Sequence, residues 1–271
     1  MKKLLNAHPA LTLLLLFIAF FAVPFIFSFI GGYNPVVGYF SAVLLLLLTG
    51  LLYRWEGKSL SELGLNFKQG NIYFLPLGII VGILFFCVLL FAQMLHNGIH
   101  IRFNKNADYT LIAGGIFILF QAVCIEELIF RGYCFKKAVD HAGIPKANLI
   151  FAFLFIVWHW IAFNAWGNYG LMLGLITTAF GHLLFSTALL RSGTLYFPIG
   201  IHLGNNWAEH YLFSASMEGP NARPSNGVLF ILTGPDPRQD PSQFHVIIGY
   251  MITFICFLLF TWVIWKWPKK R

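Results

Sequence analysis

Apolar runs close to the ~20 residues needed to cross a hydrocarbon core recur along the whole chain. Eight are read, over 10–30, 36–54, 73–95, 109–131, 147–164, 170–190, 194–213 and 245–265. Composition agrees with them, since 58% of residues are hydrophobic and only 10% are charged. A soluble domain carries about 25% charged residues, so this chain could not cover its surface in water. The expected fold is all-α: a multi-pass transmembrane helical bundle of about eight spans, with residues 1–271 forming a single integral membrane domain in the cell membrane.

Charge placement orients the bundle. With eight spans, one side receives 14 of the 18 Lys and Arg residues, among them Lys2, Lys3, Arg54, Lys58, Arg131, Lys136, Lys137, Arg191 and Lys266. The other side receives only Arg102, Lys105, Arg223 and Arg238. The positive-inside rule then places both termini in the cytoplasm. The net charge of +8 is therefore a topology signal. No basic stripe on a soluble module exists to bind nucleic acid.

The apolar run after Lys3 is longer than the 7–15 residues of a signal-peptide core and no A-x-A-like site closes it, so it is read as the first span. Cys87, Cys124, Cys134 and Cys256 have no C-x-x-C spacing, which argues against a zinc ribbon or a disulfide framework. Two longer connections stand out. Residues 59–64 could start a short amphipathic helix at the cytoplasmic surface, and residues 214–244, rich in Gly, Pro, Asn and Asp, predict an irregular outer loop.

The fourth run carries adjacent carboxylates, Glu126 and Glu127, and then Arg131. An ionisable side chain at membrane depth costs roughly 2.5–3.5 kcal/mol on insertion scales, and such residues usually face an interior cavity and carry function. A helix turns 100° per residue, so the two carboxylates point in different directions. Glu127 and Arg131, four apart, share a face and can pair. That leaves Glu126 free to work. The rival reading is a solvated cytoplasmic helix end, because Arg131 should then lie near the interface.

The fifth run places His159 four residues after Phe155, and the seventh places Asn206 four residues after His202, on one face. Each alone reads as packing or interhelical bonding. His182 in the sixth run is read in that way, and Glu209 and His210 as interfacial. Taken together, a carboxylate, two imidazoles and an amide on three helices are the parts for activating water against a carbonyl. The carboxylate supplies the base, and imidazole and amide groups hold the oxyanion.

The pattern Glu126-Glu127-x-x-x-Arg131, Phe155-x-x-x-His159, His202-x-x-x-Asn206, in this order on successive spans, resembles the CPBP intramembrane proteases. That family includes the type II CAAX prenyl endopeptidases and bacteriocin-related members. The resemblance covers about residues 109–213, which would be the catalytic core, and includes the Leu190–Leu195 turn. It implies that Glu126 activates water with His159 beside it, that His202 and Asn206 stabilise the oxyanion, and that Glu127 and Arg131 support the site. The substrate would be a peptide or protein, cleaved near the cytoplasmic face of the membrane.

Such families also carry a metalloprotease label, so a zinc ion held by Glu126, His159 and His202 stays open. Its bound water, with a pKa of about 7, would be the nucleophile. Against it, the ligands come from three helices with no H-E-x-x-H, and Glu127 would have to be the base despite Arg131. The expectation is water activated by glutamate with no cofactor. A different class also stays open, a proton-coupled transporter or channel using the same Glu and His residues as a relay. So does a catalytically silent scaffold. One feature fits poorly: at 1.5 Å per residue Glu126 lies about 8 Å from the end of its span and His159 about 18 Å into its own. Either the fifth helix begins well below the membrane surface or one helix is strongly tilted.

Overall fold

The structure, a computed structural model, describes residues 7–32, 34–215, 228–233 and 243–267. Two long hairpin helices come first, α1 (Pro9–Gly31) and α2 (Pro35–Trp55). Asn34 caps α2 by accepting from the Val37 amide at 3.0 Å, and Pro35 supplies the pre-set first position. After two 3-10 turns come α3 (Phe74–Asn97), β1 (His100–Phe103) and α4 (Tyr109–Phe130). Then follow α5 (Tyr133–Ala142), α6 (Ile144–Ala162), α7 (Tyr169–Leu175), α8 (Thr178–Ser192) and α9 (Tyr196–Trp207). A π-helical turn (Ala208–Leu212), β2 (Phe213–Ala215), β3 (Phe230–Thr233) and α10 (Gln243–Lys266) complete the described chain.

The architecture is an all-α multi-pass bundle, and among the described residues seven helical segments are long and apolar enough to cross a membrane. Large apolar side chains such as Leu15, Phe91, Leu149 and Trp262 are exposed on its outside, as a lipid solvent requires. All four cysteines are free.

The seventh apolar run departs from expectation. Its α-helix has only 12 residues and is largely buried. It packs directly on α3 because each helix offers two glycines four apart. A Cβ on Gly82 would lie 2.1 Å from the Ile201 carbonyl, and one on Gly204 would lie 2.1 Å from that of Ile79. Small residues at this spacing let membrane helices approach backbone to backbone. Gly200 and Gly204 face α3, so His202 between them faces the other way, towards α4 and α8.

The fourth run ends among buried side chains, with Phe130 and Arg131 fully enclosed. α4 stops at Phe130, whose ring packs on Phe155 at 4.8 Å and Trp158 at 6.0 Å, well along α6. The chain breaks at Arg131–Gly132 and continues as α5, where Phe135 meets Phe151 at 5.4 Å. α5 thus runs antiparallel to α6, past the end of α4, for about 15 Å. α6 accordingly begins well beyond the level where α4 ends, which brings His159 within electrostatic range of Glu126. Arg131 therefore lies inside the bundle and not at the interface, which removes the reading of a solvated helix end.

Two connections also differ from expectation. Residues 60–63 form a 3-10 turn that buries Leu63 completely, and the Leu63 carbonyl accepts from the Leu195 amide at 2.8 Å. This docks the Leu190–Leu195 turn at the start of α9. Within 214–244, the described residues 230–233 form β3, central in a three-stranded sheet of order β1-β3-β2, antiparallel to β1 and parallel to β2. Residues 214–215 belong to β2, 243–244 open α10, and 216–227 and 234–242 lie outside the described residues.

At the other end, Glu56 follows α2 and receives hydrogen bonds from Lys137 and Tyr133 of α5. Burial alone would raise the Glu56 pKa, but these bonds and the Lys137 charge outweigh it and hold the carboxyl below its usual value. A depressed carboxylate stabilises the fold above its unfolded pKa of about 4.3, and that contribution is lost as pH falls through the lower folded value. Thermal midpoints of the detergent-solubilised protein should therefore drop on acidification below about pH 4.3. In Glu56→Gln the drop should be smaller, from a lower starting point at neutral pH.

Candidate active site

Two residues near the end of α4 have different fates. Glu127 has no solvent exposure, and its Oε1 accepts from Arg131 Nη1 at 3.2 Å and from His202 Nδ1 at 2.8 Å. Arg131 is equally enclosed, with its Cζ 4.3 Å from the Phe155 ring centroid and 5.0 Å from that of Phe185. The aromatic faces supply part of what water would have given the cation. His202 stacks on the Phe185 ring at 4.6 Å and 16°. One carboxylate oxygen thus joins α4 to α9, with α6 and α8 closing around the guanidinium.

Glu126 is the less enclosed of the pair, with 18% of its side chain exposed, and it lines a cavity of about 460 Å³. Ile118, Ala122 and Ile125 of α4, Trp158 and Ile161 of α6, and the α1–α2 turn form the other walls. Its Oε2 has no hydrogen-bond partner and stands 3.8 Å from His202 Nε2. That is too long for a direct bond. It leaves an unengaged acceptor facing an imidazole nitrogen.

His159, near the end of α6, has Nδ1 at 2.8 Å from the Phe155 carbonyl. It lies within electrostatic range of Glu126, His202 and Arg131, although no hydrogen bond joins it to them. Asn206 sits one turn beyond His202, where its Oδ1 accepts from Asn205 Nδ2 at 3.1 Å. Its own Nδ2 remains to donate. Among the described residues no hydrogen bond links Asn206 to Glu126, His159 or His202. Glu126, Glu127, Arg131 and His202 are therefore brought together directly, and His159 and Asn206 flank them.

The partners fix the tautomers. A carbonyl and a carboxylate can only accept, so both imidazoles donate from Nδ1. A neutral ring then presents Nε2 as an acceptor, suited to orienting a water. A donor role towards an oxyanion requires the doubly protonated ring. The sequence gives no sign of this distinction, because it follows from contacts that only the fold makes.

The zinc alternative meets this geometry poorly. Nδ1-anchored imidazoles are common among metal ligands. However, no group of three His, Cys, Asp or Glu side chains among the described residues is gathered closely enough to hold a metal ion.

Residues 108–208 match the family model described as type II CAAX prenyl endopeptidase Rce1-like. By that match the stretch is similar to the CPBP/CAAX proteases. It contains Glu126, Glu127, Arg131, His159, His202 and Asn206, and it begins and ends with α4 and α9, the helices that the Glu127 carboxylate joins. No curated protein and no solved structure matches the chain.

Phe185 and the glycine pairs of α3 and α9 also shape the site. The four-residue glycine spacing was a readable signal, whereas Phe185 is one of 30 phenylalanines and carries none.

The pairing makes a quantitative prediction. Removing one partner of a buried ion pair costs about 3–5 kcal/mol, because it strands the other charge. Glu127→Gln and Arg131→Met should each lower the thermal midpoint sharply, and the double variant should lose much less than the sum. Additive losses would mean that the two side chains do not interact.

Proposed function

We propose that this protein is an intramembrane endopeptidase that hydrolyses a peptide bond with a water activated by Glu126. The observation that carries the reading is the division of labour between adjacent carboxylates. Glu127 is engaged by Arg131 and His202, and Glu126 has an oxygen with no hydrogen bond at a cavity wall. A base needs a free lone pair within reach of its proton.

In this reading a water between Glu126 and the substrate gives its proton to Glu126 as its oxygen attacks the scissile carbonyl carbon. The Asn206 amide and the His202 ring stabilise the oxyanion that forms. The C–N bond then breaks, and the Glu126 proton leaves with the amine. His159 Nε2 helps to orient the water. Glu127 fixes the His202 ring, and Arg131 holds Glu127.

The reaction would take place towards the cytoplasmic face. His202 is six residues, or about 9 Å, into α9. The start of that helix docks beside the end of α2, on the side the charge asymmetry assigns to the cytoplasm. The family description suggests prenylated peptides ending in Cys-a-a-X as the first substrates to try.

The test compares membrane proteomes of cells carrying the wild-type protein and Glu126→Gln, which keeps size and removes charge. Peptides with new termini should appear only with the wild type, and the variant should fold and insert normally. Purified wild-type protein should keep its activity after exhaustive chelation. More than a few per cent of activity in Glu126→Gln would overturn the role of Glu126, and loss on chelation with recovery on adding zinc would overturn the metal-free step. Solute or ion flux abolished by Glu126→Gln, without cleavage, would favour the relay.

A further inference from the structure

His182 of α8 is fully buried, and both of its ring nitrogens lack a hydrogen-bond partner, which is not the interhelical bond its position suggested. Its walls are the rings of Phe135 at 5.5 Å and of Phe151 and Phe155 at 6.3 Å. Arg131 lies against the same Phe155, and against Phe185 one turn further along α8. Its Nη1 serves Glu127, but Nε and Nη2 are buried without partners. One region of the interior therefore holds two unengaged guanidinium nitrogens and two unengaged imidazole nitrogens, with a shared aromatic wall.

Buried polar groups are almost always hydrogen-bonded, to ordered water where no protein group reaches them. A guanidinium can only donate, while a neutral imidazole offers one donor and one acceptor. A water that accepts from the guanidinium and donates to the acceptor nitrogen of the imidazole links the two groups.

We propose that Arg131 and His182 share a buried hydration site, and that His182 is a positioning residue for the reaction. Through the water it holds the free edge of the guanidinium. The guanidinium sets the Glu127 carboxylate, and that carboxylate sets the His202 ring facing Glu126. The kinetic part of this inference rests on the proposed hydrolysis, and the pairing of Arg131 with His182 does not.

The test uses purified full-length protein in detergent, with two readouts. One is the thermal midpoint. The other is cleavage of an internally quenched prenylated peptide ending in Cys-a-a-X. His182→Phe fits the aromatic box but cannot hydrogen-bond, whereas His182→Asn and His182→Gln keep a donor and an acceptor. His182→Phe should lower the midpoint by about 2–4 °C. It should reduce kcat by about tenfold to a hundredfold, as small misplacements of a reacting group do, with KM essentially unchanged. At least one amide variant should restore most of the loss.

In a background of Arg131→Met, or Arg131→Lys if that variant does not fold, His182→Phe should have little further effect on the midpoint. A His182→Phe protein with wild-type midpoint and kcat would overturn the proposal, as would a loss fully additive with the Arg131 change. Equal impairment of the Phe and amide variants would also overturn it, by showing that only ring shape matters. If the wild type leaves the peptide intact, the proposed function fails on that substrate, while the thermal cycle still decides the pairing.

Discussion

A carboxylate taken out of water costs several kcal/mol unless charge and hydrogen bonds replace the lost hydration. Glu127 has no exposure, so the fold must bring it partners, and it brings two to a single oxygen. Arg131 comes from the same helix and fixes the charge balance locally. His202 comes from a helix 75 residues later, and its bond ties the two ends of the family-matched segment together. The guanidinium is itself out of water and draws on the faces of Phe155 and Phe185, which recruits α6 and α8. Four helices thus converge on one buried charge pair.

Two features of the backbone make that convergence geometrically available. The break at Arg131–Gly132 lets α4 stop inside the bundle, so that its last turn is level with Phe155 and Trp158. The glycine contacts between α3 and α9 hold a helix of only 12 residues in a fixed rotation, with His202 turned away from α3. A helix this short gains little stability from its own hydrogen bonds, so packing must define where it sits. Glu126 gains its accessibility from the same arrangement. One residue's rotation about α4 separates a sealed carboxylate from one that borders a cavity.

Much of this was legible in the sequence because it is local. Helical spacing alone pairs Glu127 with Arg131 and leaves Glu126 apart, and run lengths alone give a helical membrane bundle. The His202–Glu127 bond and the unpartnered state of His182 were not legible. Each depends on which helix faces which, and no spacing along the chain encodes that. The depth of Arg131 was hidden for a different reason. A charged residue at the end of an apolar run looks like an interface marker, and only the continuation into α5 shows that the chain has further to descend. The strand at 230–233 was hidden by its setting, since a loop rich in Gly and Pro can still donate one extended segment to a sheet formed elsewhere.

The central claim is that a peptide carbonyl is attacked at Glu126. The most direct measurement is an experimental structure of Glu126→Gln with an uncleaved prenylated Cys-a-a-X peptide bound. The account predicts the scissile carbonyl beside residue 126, with its oxygen turned towards His202 and Asn206 and the Glu127–Arg131–His202 bonds intact. A peptide seated with its scissile bond away from residue 126, or His202 released from Glu127 when the peptide is bound, would contradict it.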